Sequence, residues 1–198
     1  MHILSIDVGI RNLAYVIIKI DNTSKTLLNT GCNHEIEKWD VLELIEKSEK
    51  ASTADQIKIG MSMMRQLDDI LSSYTFDMIL IENQIGKNAI KMKSIQGMLN
   101  MYFVMRNYTN ENILNYNATH KLKDFCNGEK TSYNERKKMS KQITMLLCEK
   151  HYGDELYQYY KSFKKKDDLS DCLLQAIHYM KRQGHVDSEY YESIKHCL

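Results

Sequence analysis

Two short apolar runs, each closed by an acid, constrain this chain more than any other feature. His-Ile-Leu-Ser-Ile-Asp-Val-Gly at 2–9 carries Asp7, and Phe-Asp-Met-Ile-Leu-Ile-Glu at 76–82 ends on Glu82. Runs of this length read as buried strands, and a charge is tolerated at such a strand's end only where the sheet meets solvent or a counter-charge. A third acidic feature opens the periodic segment Asp-Leu-Ser-Asp-Cys-Leu-Leu-Gln-Ala-Ile at 168–177. Asp168 and Asp171 stand at i and i+3 on one helical face, away from the stripe of Leu169, Cys172, Leu173, Ala176, Ile177 and Met180. Each acid also has an ordinary structural reading. Asp7 precedes a turn glycine, acids at a helix start suit its dipole, and Asp167 can serve as an N-cap. Together, four carboxylates from three places in the chain form a set suited to a hard, oxygen-loving cation.

The pattern around them predicts a mixed α/β fold. Residues 2–7 and 12–20 read as strands joined through Gly9, and a third strand is expected around 26–32, opening a meander. Helical spacing of apolar residues follows over 54–73, then the strand ending at Glu82. Residues 91–107, rich in Met and aromatics, predict a further helix, and 112–117 a short strand. Helices are expected near 119–126, 134–150, 167–182 and 187–196, with Gly153 and the Lys-rich stretch 161–166 marking loops. At 198 residues, one domain accommodates all of this.

Composition narrows the chemistry. No apolar stretch is long enough to span a membrane. The opening Met-His-Ile-Leu lacks the basic region and cleavage site of a secretory signal. Five scattered cysteines without a CxxC spacing suit free thiols in a reducing compartment. HExxH, Gly-x-Ser-x-Gly and P-loop motifs are absent, which leaves carboxylate, metal and lysine as the available catalytic chemistry. Two Mg²⁺ ions held by such acids can activate water and stabilise the leaving oxygen of a phosphodiester. Net charge is only +1, but lysines and arginines gather over 85–141, including Lys121, Lys123, Lys130, Arg136, Lys137, Lys138 and Lys141. A second group follows at Lys161, Lys164, Lys165 and Lys166. Alone, such runs are solvated faces; beside an acidic cluster they suit a phosphate backbone.

These residues resemble the RuvC-type Holliday junction resolvases of the RNase H-like superfamily, in their poxvirus and mitochondrial branch. Ile-Leu-Ser-Ile-Asp-Val-Gly-Ile-Arg-Asn-Leu-Ala at 3–14 is similar to the family's first hairpin, and Ile-Leu-Ile-Glu-Asn-Gln at 79–84 to its second acidic motif. Lys-Lys-Asp-Asp-Leu-Ser-Asp-Cys-Leu-Leu at 165–174 resembles its C-terminal Asp-x-x-Asp helix. Leu-Lys-Asp-Phe-Cys-Asn-Gly at 122–128 resembles the segment in which a lysine reaches the active site; Lys123 fits that place first and Lys121 second. Residues 33–53 match no motif of the family.

The resemblance implies an RNase H-like mixed sheet of about five strands flanked by helices, and a homodimer that cuts four-way DNA junctions by paired symmetric nicks. Asp7, Glu82, Asp168 and Asp171 would hold two Mg²⁺ ions, with Mn²⁺ able to substitute. Whether Asp167 or Asp168 joins Asp171 stays open, the i, i+3 spacing favouring Asp168. Lys123 would stabilise charge on the scissile phosphate, while Lys121, Lys130, Arg136, Lys137, Lys138 and Lys141 would contact DNA. An intracellular location is expected, in the host cytoplasm for a cytoplasmic DNA virus, with mitochondria as the second choice. A RuvC-like nuclease for flaps or RNA–DNA hybrids is the alternative. An idle nucleic-acid-binding protein would not need to keep all four acids. The Asp-Val-Gly hairpin also opens actin-like and sugar-kinase ATPases, but eight glycines here form no second phosphate loop.

Overall fold

The sheet is built around β1 (His2–Asp7), whose interior residues Ile3 to Ile6 are all buried. A computed structural model describes residues 1–21, 33–86, 89–117, 119, 121–125 and 132–197. β1 pairs antiparallel with β2 (Asn12–Ile20), and β2 with β3 (His34–Glu43). On its other side β1 runs parallel to β4 (Met78–Glu82), which in turn runs parallel to β5 (Ile113–Tyr116). The order is therefore β3-β2-β1-β4-β5, the mixed five-stranded sheet expected.

Both faces of this sheet are covered, which is why β1, β2 and β4 read as near-continuous apolar runs. Leu4, Ile6, Leu13, Ile17, Ile79 and Ile81 face one core, closed by α1 (Gln56–Leu71) and α2 (Ile90–Val104). Ile3, Ala14, Val16, Ile18 and Leu80 face the other. That side is closed by α3 (Tyr133–Leu147), α4 (Gly153–Ser162), α5 (Lys166–Arg182) and α6 (Ser188–Lys195). α5 lies directly on the sheet, with everything from Cys172 to Met180 buried. At about 1.5–3 kcal/mol per large apolar side chain removed from water, it is a main contributor to the core.

Two expectations need correction, and a third goes untested. The strand expected at 26–32 lies outside the described residues; the strand that pairs with β2 is His34–Glu43. It is an edge strand whose buried and exposed residues alternate, and its many charges hide it from an apolar-run search. Within the helix expected at 119–126, residues 121–125 form turns instead, with one Phe125 N–H to Leu122 C=O bond of 3.0 Å. Gly153 does not open a loop. Its φ of 83° joins a π-helical turn at Cys148–Tyr152 to α4, where Tyr160 stacks on Trp39 at 5.4 Å.

Candidate active site

The parallel register of β1 and β4 brings two acids together. Ile6 pairs with Ile81, so the next residues, Asp7 and Glu82, emerge side by side at the same end of the sheet. Gly9 lets the β1–β2 hairpin turn tightly there, since a Cβ at that position would lie 2.2 Å from the Asn12 carbonyl oxygen. α5 delivers Asp171 to the same place because it is stapled to both strands. Gln175 Nε2 donates to Ser5 Oγ at 3.0 Å and to the carbonyls of Ile6 and Leu80 at 3.3 Å. Ser5 Oγ donates to the Cys172 carbonyl at 2.7 Å, and Trp39 Nε1 to that of Leu169 at 3.1 Å. These buried bonds fix the depth of the helix against the strands.

Lys121 sits among the three acids. Its Nζ lies 2.9 Å from Asp171 Oδ2 and 3.4 Å from Glu82 Oε1. Gln84 Nε2 donates to the other Glu82 oxygen at 2.8 Å, and Ser140 Oγ donates to Asp171 at 3.4 Å. Burial, then the Glu82 charge and a hydrogen bond shared with it, holds the Asp7 carboxyl well above the usual range. Burial likewise raises Asp171, with Lys121 opposing. Burial pulls the Lys121 ammonium down, but Asp171, Glu82 and Asp7 outweigh it and leave it above its ordinary value. The cleft holding these groups measures about 390 Å³ and is also lined by Thr119, Tyr133, Arg136 and Lys137. A larger cavity of about 520 Å³, beside Phe76 at the opposite end of β4, has Asp68 and Arg106 as its charged lining.

The remaining expected residues fall around this centre. Asp168 lies one turn before Asp171 on α5 but does not line the cleft, its Oδ2 accepting from Asn12 Nδ2 at 3.2 Å. Burial raises its carboxyl, with Asn12 opposing. Asp167 pairs with Lys137 Nζ at 2.6 Å. Burial pushes the Asp167 carboxyl up, but that hydrogen bond, a backbone N–H and the charges of Lys137 and Lys141 together outweigh it and leave the pKa below normal. Lys123, the first choice for the active-site lysine, is exposed and away from the cleft, whereas Lys121 is inside it. In this turn, burial of Leu122 and Phe125 on the protein side points residue 123 outward. Arg136 and Lys138 are exposed on α3, Lys141 is half-buried, and Lys130 lies outside the described residues.

Among the described residues no three acidic, His or Cys side chains stand ready-made as a metal cage. The donor set nevertheless suits a hard cation. Asp7, Glu82 and Asp171 are all oxygen ligands; burial and then their mutual repulsion raise the first and third, and among the described residues the Lys121 ammonium offsets them.

Ser5, Gln175 and Trp39, which set the position of α5, carried no signal of their own in the sequence. They are ordinary polar or aromatic residues within apolar segments, and only the packed structure shows what they join.

Comparison with known proteins bears on the fold that presents these residues. Residues 3–85, under half of the chain, match the family model described as mitochondrial resolvase Ydc2 / RNA splicing MRS1. A comparison with curated proteins gave no match. Among solved structures, the fowlpox virus resolvase in complex with its substrate Holliday junction DNA has 22% identity and a TM-score of 0.63, over 92% of this chain and 99% of that one. The yeast mitochondrial Holliday junction resolvase Ydc2 has 21% identity and a TM-score of 0.63, over 99% and 86%. Thermus thermophilus RuvC has 14% identity and a TM-score of 0.58, over 93% and 98%. The resemblance read in the sequence thus holds at two levels: the segment from Ile3 to Ile85 matches the mitochondrial-resolvase family model, and the chain has the RNase H-like fold of the poxvirus, mitochondrial and bacterial RuvC-type resolvases.

Proposed function

We propose that this protein is a metal-dependent endonuclease that resolves four-way DNA junctions. The observation that carries the reading is the convergence of Asp7, Glu82 and Asp171 on Lys121 at one end of a RuvC-like sheet. Divalent ions held there, Mg²⁺ or in its place Mn²⁺, would lend Lewis acidity to a water and to the leaving oxygen of a phosphodiester. Asp7, Glu82 and Asp171 are the residues to hold them, with Asp168 as a fourth acid at the rim. Lys121 would aim its ammonium at the scissile phosphate and offset the charge that builds on its oxygens. Arg136, which lines the cleft and has no ion pair among the described residues, is placed to grip a neighbouring phosphate.

Resolution needs two cuts in one encounter, and a two-fold homodimer supplies them. The outer face of α1 and α2 suits that contact: Ile57, Met61 and Met64 line α1, and Ile90, Met101 and Val104 line α2, all exposed. Apolar side chains grouped this way mark an interaction surface. The lysine-rich α3 and the rim of the cleft would then read junction shape through backbone contacts.

The deciding experiment incubates the protein with labelled four-way junction, flap, RNA–DNA hybrid and linear duplex, with Mg²⁺ and with EDTA, alongside sedimentation. Paired nicks in the junction, dependent on Mg²⁺ and made by a dimer, are expected. Cutting only of flaps or hybrids would move the protein to another RuvC-like nuclease class. Tight junction binding with no cutting under any divalent ion would refute the nuclease reading.

A further inference from the structure

The segment that carries Lys121 is tied to α5 twice, and the second tie has no part in the chemistry described above. Lys121 meets Asp171 of α5 at 2.9 Å. Three residues on, Asp124 Oδ2 meets Lys181 Nζ, further along the same helix, at 3.1 Å. The charges are reciprocal: the segment's lysine meets the helix's acid, and the segment's acid meets the helix's lysine. His178, on α5 between the two, brings its Nε2 to 3.7 Å from Asp124 Oδ2, while its Nδ1 is hydrogen-bonded to the Tyr116 hydroxyl. Tyr116 ends β5, pairs in register with Glu82 and accepts the Asn83 N–H at 2.7 Å. Asp124 therefore joins the lysine segment both to the helix that bears Asp171 and to the strand beside Glu82.

We propose that Asp124 is a positioning residue that sets the Lys121 ammonium against the carboxylates, through Lys181 and His178. The apolar anchors of the segment cannot do this alone. Leu122 and Phe125 are buried, and Phe125 stacks on Tyr191 at 5.1 Å, which turns residue 121 toward the acids, but apolar contact is non-directional and sets the ammonium's place along the helix less sharply than charged contacts do. Two opposed ion pairs spaced along one rigid helix fix that register. Lys181 is itself held in place, its Nζ lying 4.0 Å above the Tyr191 ring. The pair is half-sheltered, with Asp124 and Lys181 side chains 28% and 29% exposed. Its role is thus geometric more than energetic.

The inference rests on Lys121 acting as the phosphate-facing lysine of a nuclease, and the experiment separates the two. Single-turnover cleavage and junction affinity are measured for the wild type, Asp124→Asn, Lys121→Gln and the double variant. A misplaced catalytic group costs up to about 10²-fold for a shift near 1 Å, so Asp124→Asn should slow cleavage roughly tenfold with junction affinity unchanged. Asp124→Glu should recover most of the rate, and Lys181→Gln should reproduce the loss from the helix side. In the Lys121→Gln background, Asp124→Asn should add no further loss, because both changes remove the same interaction. Wild-type cleavage by Asp124→Asn, or a full additional loss in the double variant, would overturn the proposal. A wild type that cuts no branched substrate would sink the nuclease reading instead. The Lys121 side-chain ¹⁵N resonance then decides the positioning role on its own, since it should move in Asp124→Asn and an unmoved signal refutes the tie.

Discussion

Replacing Lys121 by Gln tests the charge logic of the site without relying on activity. The ammonium stands 2.9 Å from one carboxylate and 3.4 Å from another, with its side chain 11% exposed. At an effective dielectric near 20, each contact has a gross attraction of about 5–6 kcal/mol. Burying the three charges takes back much of that, and breaking a buried pair costs about 3–5 kcal/mol net. Burial, then the Glu82 charge, already raises the Asp7 carboxyl, which favours the lower end of that range. A loss of about 3 kcal/mol lowers the melting temperature of a chain this size by roughly 6–12 °C. The assay is thermal unfolding in EDTA and then in millimolar Mg²⁺. Removing the ammonium should sharpen the demand of the acids for another cation, and an ion at a hundred times its Kd contributes about 2.7 kcal/mol of stability. The gap between variant and wild type should therefore be wide in EDTA and narrow in Mg²⁺. Equal melting in EDTA would show that Lys121 is not the counter-charge, and a gap indifferent to Mg²⁺ would refute a cation-seeking site.

Other outcomes follow from the same geometry. Asp7→Asn, Glu82→Gln and Asp171→Asn should each remove several kcal/mol of transition-state stabilisation, at least about 10³-fold in cleavage rate, with junction binding intact; full activity in one removes that residue from the site. Gly9→Ala should destabilise the β1–β2 hairpin by roughly 1–3 kcal/mol, read by chemical denaturation, because its Cβ would meet the Asn12 carbonyl oxygen at 2.2 Å. Arg136→Ala and Lys138→Ala should each flatten the salt dependence of junction binding by about 0.9 in log–log slope if each neutralises one phosphate; an unchanged slope leaves that side chain a solvated one. His34 is held at a pKa of about 4 by burial, with His151 adding, against the ordinary 6.5. The unfolded chain then binds the proton first, so stability should fall as pH drops from about 6.5 to about 4, by up to roughly 3 kcal/mol, and His34→Gln should abolish that slope.

Much of the fold was legible because burial on both faces leaves a strong trace. β1, β2 and β4 are apolar nearly throughout, and their ends are marked by the acids that matter. The helices α1, α2, α5 and α6 were legible from spacing. What escaped was governed by partners far away in the chain. β3 is charged and half-exposed, and it is a strand because β2 offers it an edge. α4 follows Gly153, a residue that normally ends structure, and it persists because Tyr160 is buried against Trp39, with its hydroxyl 2.7 Å from Ser170 Oγ.

The lysine of the site shows the limit most clearly. Lys121 and Lys123 stand in one short basic stretch, and no feature of spacing or composition separates them. The difference lies in the two residues that anchor the turn. Leu122 and Phe125 are both drawn into the core, and a turn pinned at those two positions directs residue 123 to solvent and leaves residue 121 facing the acids. Hydrophobic contact selects which cation enters the cleft, and the acids then hold it. The same logic separates Asp167 from Asp168. Adjacent residues on a helix point about 100° apart, so one turns toward α3 and meets Lys137, while the other turns toward the β1–β2 hairpin and meets Asn12. An i, i+3 spacing places Asp168 and Asp171 on one face of the helix, but α3 and the hairpin decide what each carboxylate can reach. Function in this chain is thus set by a few apolar anchors and hydrogen-bonded staples, Ser5 and Gln175 foremost, that bring strand ends and a helix face within reach of one another.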